Sequence, residues 1–382
     1  MYLDVANQFA HNPAYGLDTH LSTTIRHGAF EGEIRRPLTA EGLLCRTRKK
    51  VFYVPEMTIR RLSHLTDGEQ EHVKKCLVRF TMRVEELIAN YLEKLLLVKS
   101  RVSPEGMFDL FCEADSLGNV SETINQDTTL DEVADRLVAQ CWEMTDSSME
   151  KIRSDLSNSA RASVDSAFTA LTQTLEEKIS RERLLPLTDA IVRARTEFHA
   201  AVDVVSEWFR RPTDLIREPF DFDIAVHVSL RQIANCYVGY QISPILDVKV
   251  GAKLPGYMLD GVCEILFILL QNVLIHSGYE DLVPETIVFA RLDNDDILIE
   301  ITNSLSDAIC IEEWRTRAAA AMARYSHDSA LRLARKEGGS GLSKVWRIAE
   351  FDLRRPHSLA LTVSDDRQFK ARFRLCDVGT EN

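Results

Sequence analysis

The sequence predicts an α+β chain: a mainly helical N-terminal region with a long helical hairpin, followed by a C-terminal α/β sandwich. Three observations carry this prediction. Between Asp67 and Phe209 apolar residues recur every three or four positions, the period of a helix with one buried stripe. After Pro212 that texture gives way to short strand-like and helix-like segments in alternation. Near the end, Gly338-Gly339-Ser340-Gly341 opens directly into an amphipathic stretch.

The elements follow in order. Residues 1–65 mix turn formers (Asn12-Pro13, Gly16, Gly28, Gly32) with short apolar pieces and read as a loop-rich cap with one or two short helices. Residues 66–145 read as a helical domain. Val73, Leu77, Phe80, Val84, Leu87, Tyr91 and Leu95 form one long stripe, Ser103-Pro104-Glu105-Gly106 breaks it, and a shorter helix spans Thr129 to Glu143. Residues 146–211 read as a hairpin suited to dimerisation. Its first helix, Ser147 to Arg181, spaces Ile152, Leu156, Val164, Phe168, Leu171, Leu175 and Ile179 in a near-heptad seam; Leu184-Leu185-Pro186 turns the chain, and the second helix ends before Pro212. In residues 217–376, helices are expected at Asp221–Tyr237, Leu259–His276, Trp314–Arg335 and Gly341–Phe351. Strands are expected at Ile242–Val250, Thr286–Arg291 and Asp296–Asn303, with a closing hairpin of Ala360–Ser364 and Gln368–Leu375.

Composition narrows the function classes. With 45% hydrophobic and 27% charged residues in 382, the chain is globular and long enough for two or three cores. A net charge of −12 argues against a dedicated nucleic-acid binder. The uninterrupted apolar run from Ile265 to Leu270 is too short to cross a bilayer, and a cytoplasmic protein is expected. The eight cysteines show no CxxC spacing, which favours reduced, mostly buried thiols over disulfides or zinc.

Three segments of the C-terminal region could hold a nucleotide. Asn272 lies within the apolar helix, in Leu270-Gln271-Asn272-Val273, and its amide needs partners there; a magnesium ion is one reading and neighbouring backbone the other. Asn303 ends an alternating strand, where its amide oxygen could accept from the exocyclic amine of adenine, although Asn-Ser after a strand also makes an ordinary turn. The third is Glu337-Gly338-Gly339-Ser340-Gly341-Leu342-Ser343-Lys344. Glycines let the backbone approach phosphates, the helix start attracts an anion, and Lys336 and Lys344 add positive charge; a flexible turn is the alternative.

In this order, from about Arg217 to Cys376, the segments resemble the GHKL ATP-binding domain shared by gyrase, Hsp90, MutL and histidine kinases, a Bergerat-type sandwich; Glu218-Pro219-Phe220-Asp221 resembles the entry to a kinase catalytic domain. The resemblance implies ATP and Mg2+ as ligands. Asn272 would hold the metal, Asn303 the adenine, and Gly338, Gly339, Ser340, Gly341, Leu342, Lys336 and Lys344 the phosphates. His276 falls at a position near the nucleotide, and is equally readable as a surface residue at a helix end. Asp307 to Lys336 would form the lid. Two departures bear on chemistry. Ile268 stands where the ATPases of the superfamily carry their general-base glutamate, with Glu264 a further turn back, and Asn303-Ser304-Leu305-Ser306-Asp307 lacks the glycines of the second box.

The expected function is therefore a nucleotide-gated conformational switch with slow or no hydrolysis. It is expected to form a homodimer through the hairpin, with a protein partner for the N-terminal region. An atypical histidine kinase and a nucleotide-free scaffold are the alternatives. No histidine lies on the first hairpin helix; His199, on the second, is the one candidate phosphoacceptor and is otherwise a helix-face residue.

Overall fold

The computed structural model describes residues 2–48, 51–110, 129–211, 217–237, 240, 242–279, 284–333 and 340–379. It divides into two compact units. One comprises Met1–Asn12, Gly16–Leu21 and Gly28–Pro212; the other comprises Pro13–Tyr15, Ser22–His27 and Thr213–Asn382.

The first unit is helical. It contains α1 (Tyr2–His11), most of α2 (Leu17–Thr24), α3 (Ala29–Ala40), a small hairpin β1 (Arg46–Arg48) and β2 (Val51–Tyr53), α4 (Glu56–Arg61) and α5 (Asp67–Asn90). The expected loop-rich cap is thus mostly helix. Helix α5 starts at a capping box, with Thr66 and Glu69 bonding each other's backbone, and runs on through a π-turn, Tyr91–Leu95. A second capping box, Thr129 with Glu132, starts α6 (Leu130–Asp155). A π-turn, Leu156–Ala160, joins α6 to α7 (Arg161–Glu176), so the helix break expected between Glu143 and Ser147 is absent. Helix α8 (Arg181–Glu207) carries Pro186 inside it, and the chain turns earlier than expected, at Glu177–Ser180.

The hairpin seam is filled from within the chain. Helix α7 packs on α5, where the Phe80 and Phe168 rings lie 5.0 Å apart, and α8 packs on α3. The expected cap, helical domain and hairpin are therefore one packed unit. On α8, Leu185, Val192 and Val204 are exposed.

The second unit is a two-layer α/β sandwich. Its elements are α9 (Phe222–Cys236), β3 (Ile245–Lys249), α10 (Leu259–His276), β4 (Thr286–Asp293), β5 (Asp296–Ser304), α11 (Ile311–Ala323), α12 (His327–Leu333), α13 (Gly341–Arg347), β6 (His357–Val363) and β7 (Gln368–Leu375). The sheet order is β3-β4-β5-β7-β6, parallel between β3 and β4 and antiparallel elsewhere. Alternation along β5 and β7 turns Ile297, Ile299, Ile301, Ala371, Phe373 and Leu375 to one face, where they share a core with α9, α10 and α13. On the other face Glu300 lies between Lys370 and Arg372, which hold its carboxyl below the usual range against the opposing effect of burial.

Gly256–His276, a 3-10 turn plus α10, is long and apolar enough to cross a membrane, which the apolar run read from the sequence did not suggest. Its apolarity has a structural outlet, because Ile265, Leu266, Phe267, Ile268, Leu269 and Leu270 are all buried in the core. Among the described residues the cysteines are free, and Cys45, Cys76, Cys141, Cys236 and Cys263 are buried.

Candidate functional site

Helix α10 organises the site. Glu264, Ile268, Asn272 and His276 are four residues apart and so share one face. Ile268 is fully buried; Gly341, the first residue of α13, sits against it so closely that a Cβ there would lie 3.1 Å from Ile268 Cγ2. The start of α13 therefore faces α10 one turn before Asn272. Asn272 is half-buried, and among the described residues its amide has no hydrogen-bond partner.

Past Asn272, the end of α10 meets the segment that follows β5. Ser306 N–H donates to Ser277 O at 2.9 Å. Gly278 adopts φ +75 where a Cβ would come within 2.5 Å of Ile309, so only glycine fits both the backbone and the space. Two buried polar atoms in this region have no hydrogen-bond partner, Ser277 Oγ and Asn303 Oδ1. Asn303 is 1% exposed and donates from Nδ2 to Ser304 O at 2.8 Å, which fixes the amide with its oxygen as the uncommitted acceptor. An aromatic group stands nearby. Phe369 is Asn303's register partner on β7; Trp314 of α11 touches Phe369 at 6.3 Å and His276 at 5.8 Å between ring centroids. Much of His276 is open to solvent, yet the packed helix end and then the Arg317 guanidinium push its pKa below the ordinary value.

The expected phosphate residues divide. Ser340 is buried, Gly341 lies on Ile268, and Leu342 packs on the core. Lys336, Gly338 and Gly339 lie outside the described residues. Lys344 is fully buried, with Nζ donating to Ser22 O at 3.3 Å, so its ammonium is turned to the protein interior instead of flanking the loop. It also lies near Glu264, whose carboxyl burial pushes up to about 8 while Lys344 pulls it back. The expected lid becomes α11 and α12. Arg315 ties α11 to Val363 O and Asp365, and Tyr325 OH meets His357 Nδ1 at 2.7 Å.

In the first unit, His199 of α8 is about a third exposed. Its Nε2 lies 3.2 Å from Asp165 Oδ1 on α7, which also accepts from Arg195 Nε at 2.6 Å. Sequence reasoning missed Trp314, Phe369 and this Asp165. Counting register back along the β5–β7 pair from Asn303 would have found Phe369; nothing local marks the other two.

With this geometry established, the comparisons with known proteins place the chain. The sequence model of the Y4jQ family matches residues 1–209, more than half the chain, and the chain belongs to that family. It is 24% identical to protein y4jQ of Sinorhizobium fredii over 350 residues, 90% of this chain and 33% of that protein. It is 19% identical to the Detocs histidine-protein kinase DtcA of Enterobacter cloacae over 366 residues, 93% of this chain and 31% of that protein. The chain thus spans about a third of the length of these curated relatives. Among solved structures, the mycobacterial sensor histidine kinase MprB is similar over 42% of this chain and 97% of its own, at 15% identity and a TM-score of 0.29.

Proposed function

We propose that the second unit is a GHKL-type module that binds an adenine nucleotide with Mg2+ and acts as a conformational switch in kinase-related signalling. Asn303 carries this reading. Its buried Oδ1 lacks a donor while Nδ2 is already engaged, so the site asks for a ligand N–H, which the exocyclic amine of adenine offers and the O6 of guanine does not. His276 and Trp314 would contribute an aromatic wall, Asn272 an oxygen ligand for the metal, and the backbone around Gly341 a close approach for phosphate. Ile268 offers no base, so turnover is slow or absent. Isothermal titration of the full chain with MgATP and MgGTP tests the proposal. ATP is expected to bind, GTP not, and Asn272→Ala or Gly341→Val to abolish binding; equal affinity in wild type and both variants would reject it.

A second reading, an atypical histidine kinase, is favoured by the carboxylate of Asp165 beside His199, which would fix the Nε2–H tautomer and leave Nδ1 as a nucleophile. Acid-labile label from γ-labelled ATP that disappears in His199→Gln would support it. Acid-stable label, or none, would exclude it.

A further inference from the structure

Residues Ser22–His27, the last turn of α2 and the turn after it, belong to the second unit although they lie near the start of the chain. They touch both helices that frame the candidate phosphate end. On α13, Lys344 Nζ donates to Ser22 O at 3.3 Å, and Arg347 donates to Thr23 Oγ1 at 3.0 Å. Arg347 is also bidentate with Asp352 and donates to Ala14 O at 3.2 Å, within the other N-terminal piece of the same unit. On α10, His27 Nδ1 lies 3.6 Å from Glu264 Oε1, and its ring packs edge-on against Phe267 with centroids 5.6 Å apart. Lys344 and Arg347 are 0% and 1% exposed, so these oxygens give their cationic heads hydrogen bonds where water does not reach.

Helix α13 has seven residues and continues only through a five-residue π-turn, Ile348–Asp352, too short a segment to be held by helix propensity, so tertiary contacts set its position. Its apolar side rests on α10 and its cations on the strap. We propose that Ser22–His27 is a regulatory strap that clamps α13 to α10, keeps Gly341 in register with Ile268 and Asn272, and so sets the affinity of the site for nucleotide. The chain runs from His27 straight into Gly28 and α3. The affinity claim rests on the nucleotide reading above; the clamp itself does not.

The test uses the full chain with Thr23→Val and His27→Ala together, neither residue being part of the candidate nucleotide site. Hydrogen exchange is followed over 22–27, 341–347 and, as a control, 67–90, and MgATP affinity is measured by titration. Faster exchange in the first two segments, an unchanged control, and at least a fivefold loss of affinity are expected. Faster exchange at 22–27 with protected 341–347, or a released α13 with affinity within twofold of wild type, would overturn the strap's role. Should the double variant fail to fold, Thr23→Val alone is read in the same way, with Thr23→Ser expected to restore both readouts. A wild-type chain that binds no ATP would overturn the nucleotide reading and the affinity claim with it, while exchange at 341–347 still decides the clamp.

Discussion

Gly341 and Ile268 are in near-contact across two helices, with room for a hydrogen on the glycine and almost none for a methyl group: a Cβ would lie 3.1 Å from Ile268 Cγ2. Ile268 thus forms the floor on which α13 begins. Gly341→Ala should therefore cost about 1–3 kcal/mol of stability through overpacking. Ile268→Ala, which removes the opposing methyl, should make the alanine at 341 less costly. A double-mutant cycle by thermal denaturation checks this, and strictly additive effects would contradict it.

Asn303 keeps a buried acceptor without a donor. A buried acceptor without a donor costs about 1–3 kcal/mol, so Asn303→Leu should leave the ligand-free chain as stable as wild type or more so. The same change should abolish the rise in melting temperature on adding MgATP. A destabilised Asn303→Leu chain that still responds to ATP would show that the amide serves packing.

The strap's buried pair should leave opposite pH signatures. Burial pushes Glu264 up to about 8 from its ordinary 4.5, against Lys344, so the unfolded chain releases that proton first and stability is lost as pH rises from 4.5 through 8. Burial, and then Lys344, push His27 down to about 3, so stability is lost as pH falls from 6.5 towards 3. Glu264→Gln should accordingly raise the melting temperature at pH 8 and converge on wild type near pH 4.5. Parallel curves in calorimetry would contradict the assignment.

Tyr325, between α11 and α12, is held to β6 at the sheet edge through His357, whose Nε2 lies 3.5 Å from Glu350. Burial, and then Glu350, raise the Tyr325 pKa, so its phenol should ionise late in an alkaline absorbance titration, and folding stability should fall as pH rises above about 10. Tyr325→Phe should remove the late component and increase proteolysis within 311–333. Unchanged cleavage would show that α11 and α12 are held by other contacts, such as Arg315 with Asp365.

Much of the second unit was legible because its patterns are local. Alternation located β4, β5 and the β6–β7 hairpin, and the apolar run located α10 to the residue. The N-terminal half was less legible for two physical reasons. Thr145 and Ser148 look like a helix break, yet each returns its hydroxyl to the backbone one turn back, Cys141 O and Met144 O, and is buried within a continuous helix. Pro186, expected to turn the chain, is carried inside α8. The candidate site was half legible: Asn272, Asn303 and Gly341 stand in recognisable motifs, whereas the inward turn of Lys344 is dictated by a partner 322 residues away, which no window on the sequence can show.

That separation also orders events during synthesis. Ser22 leaves the ribosome 322 residues before Lys344 is made. The second unit must wait until α13 is made before its two N-terminal pieces find their partners there. Its closing step is a long-range capture, so a chain that stalls before α13 leaves Ser22 and Thr23 without the cations they bind, and a turn made early is late to settle.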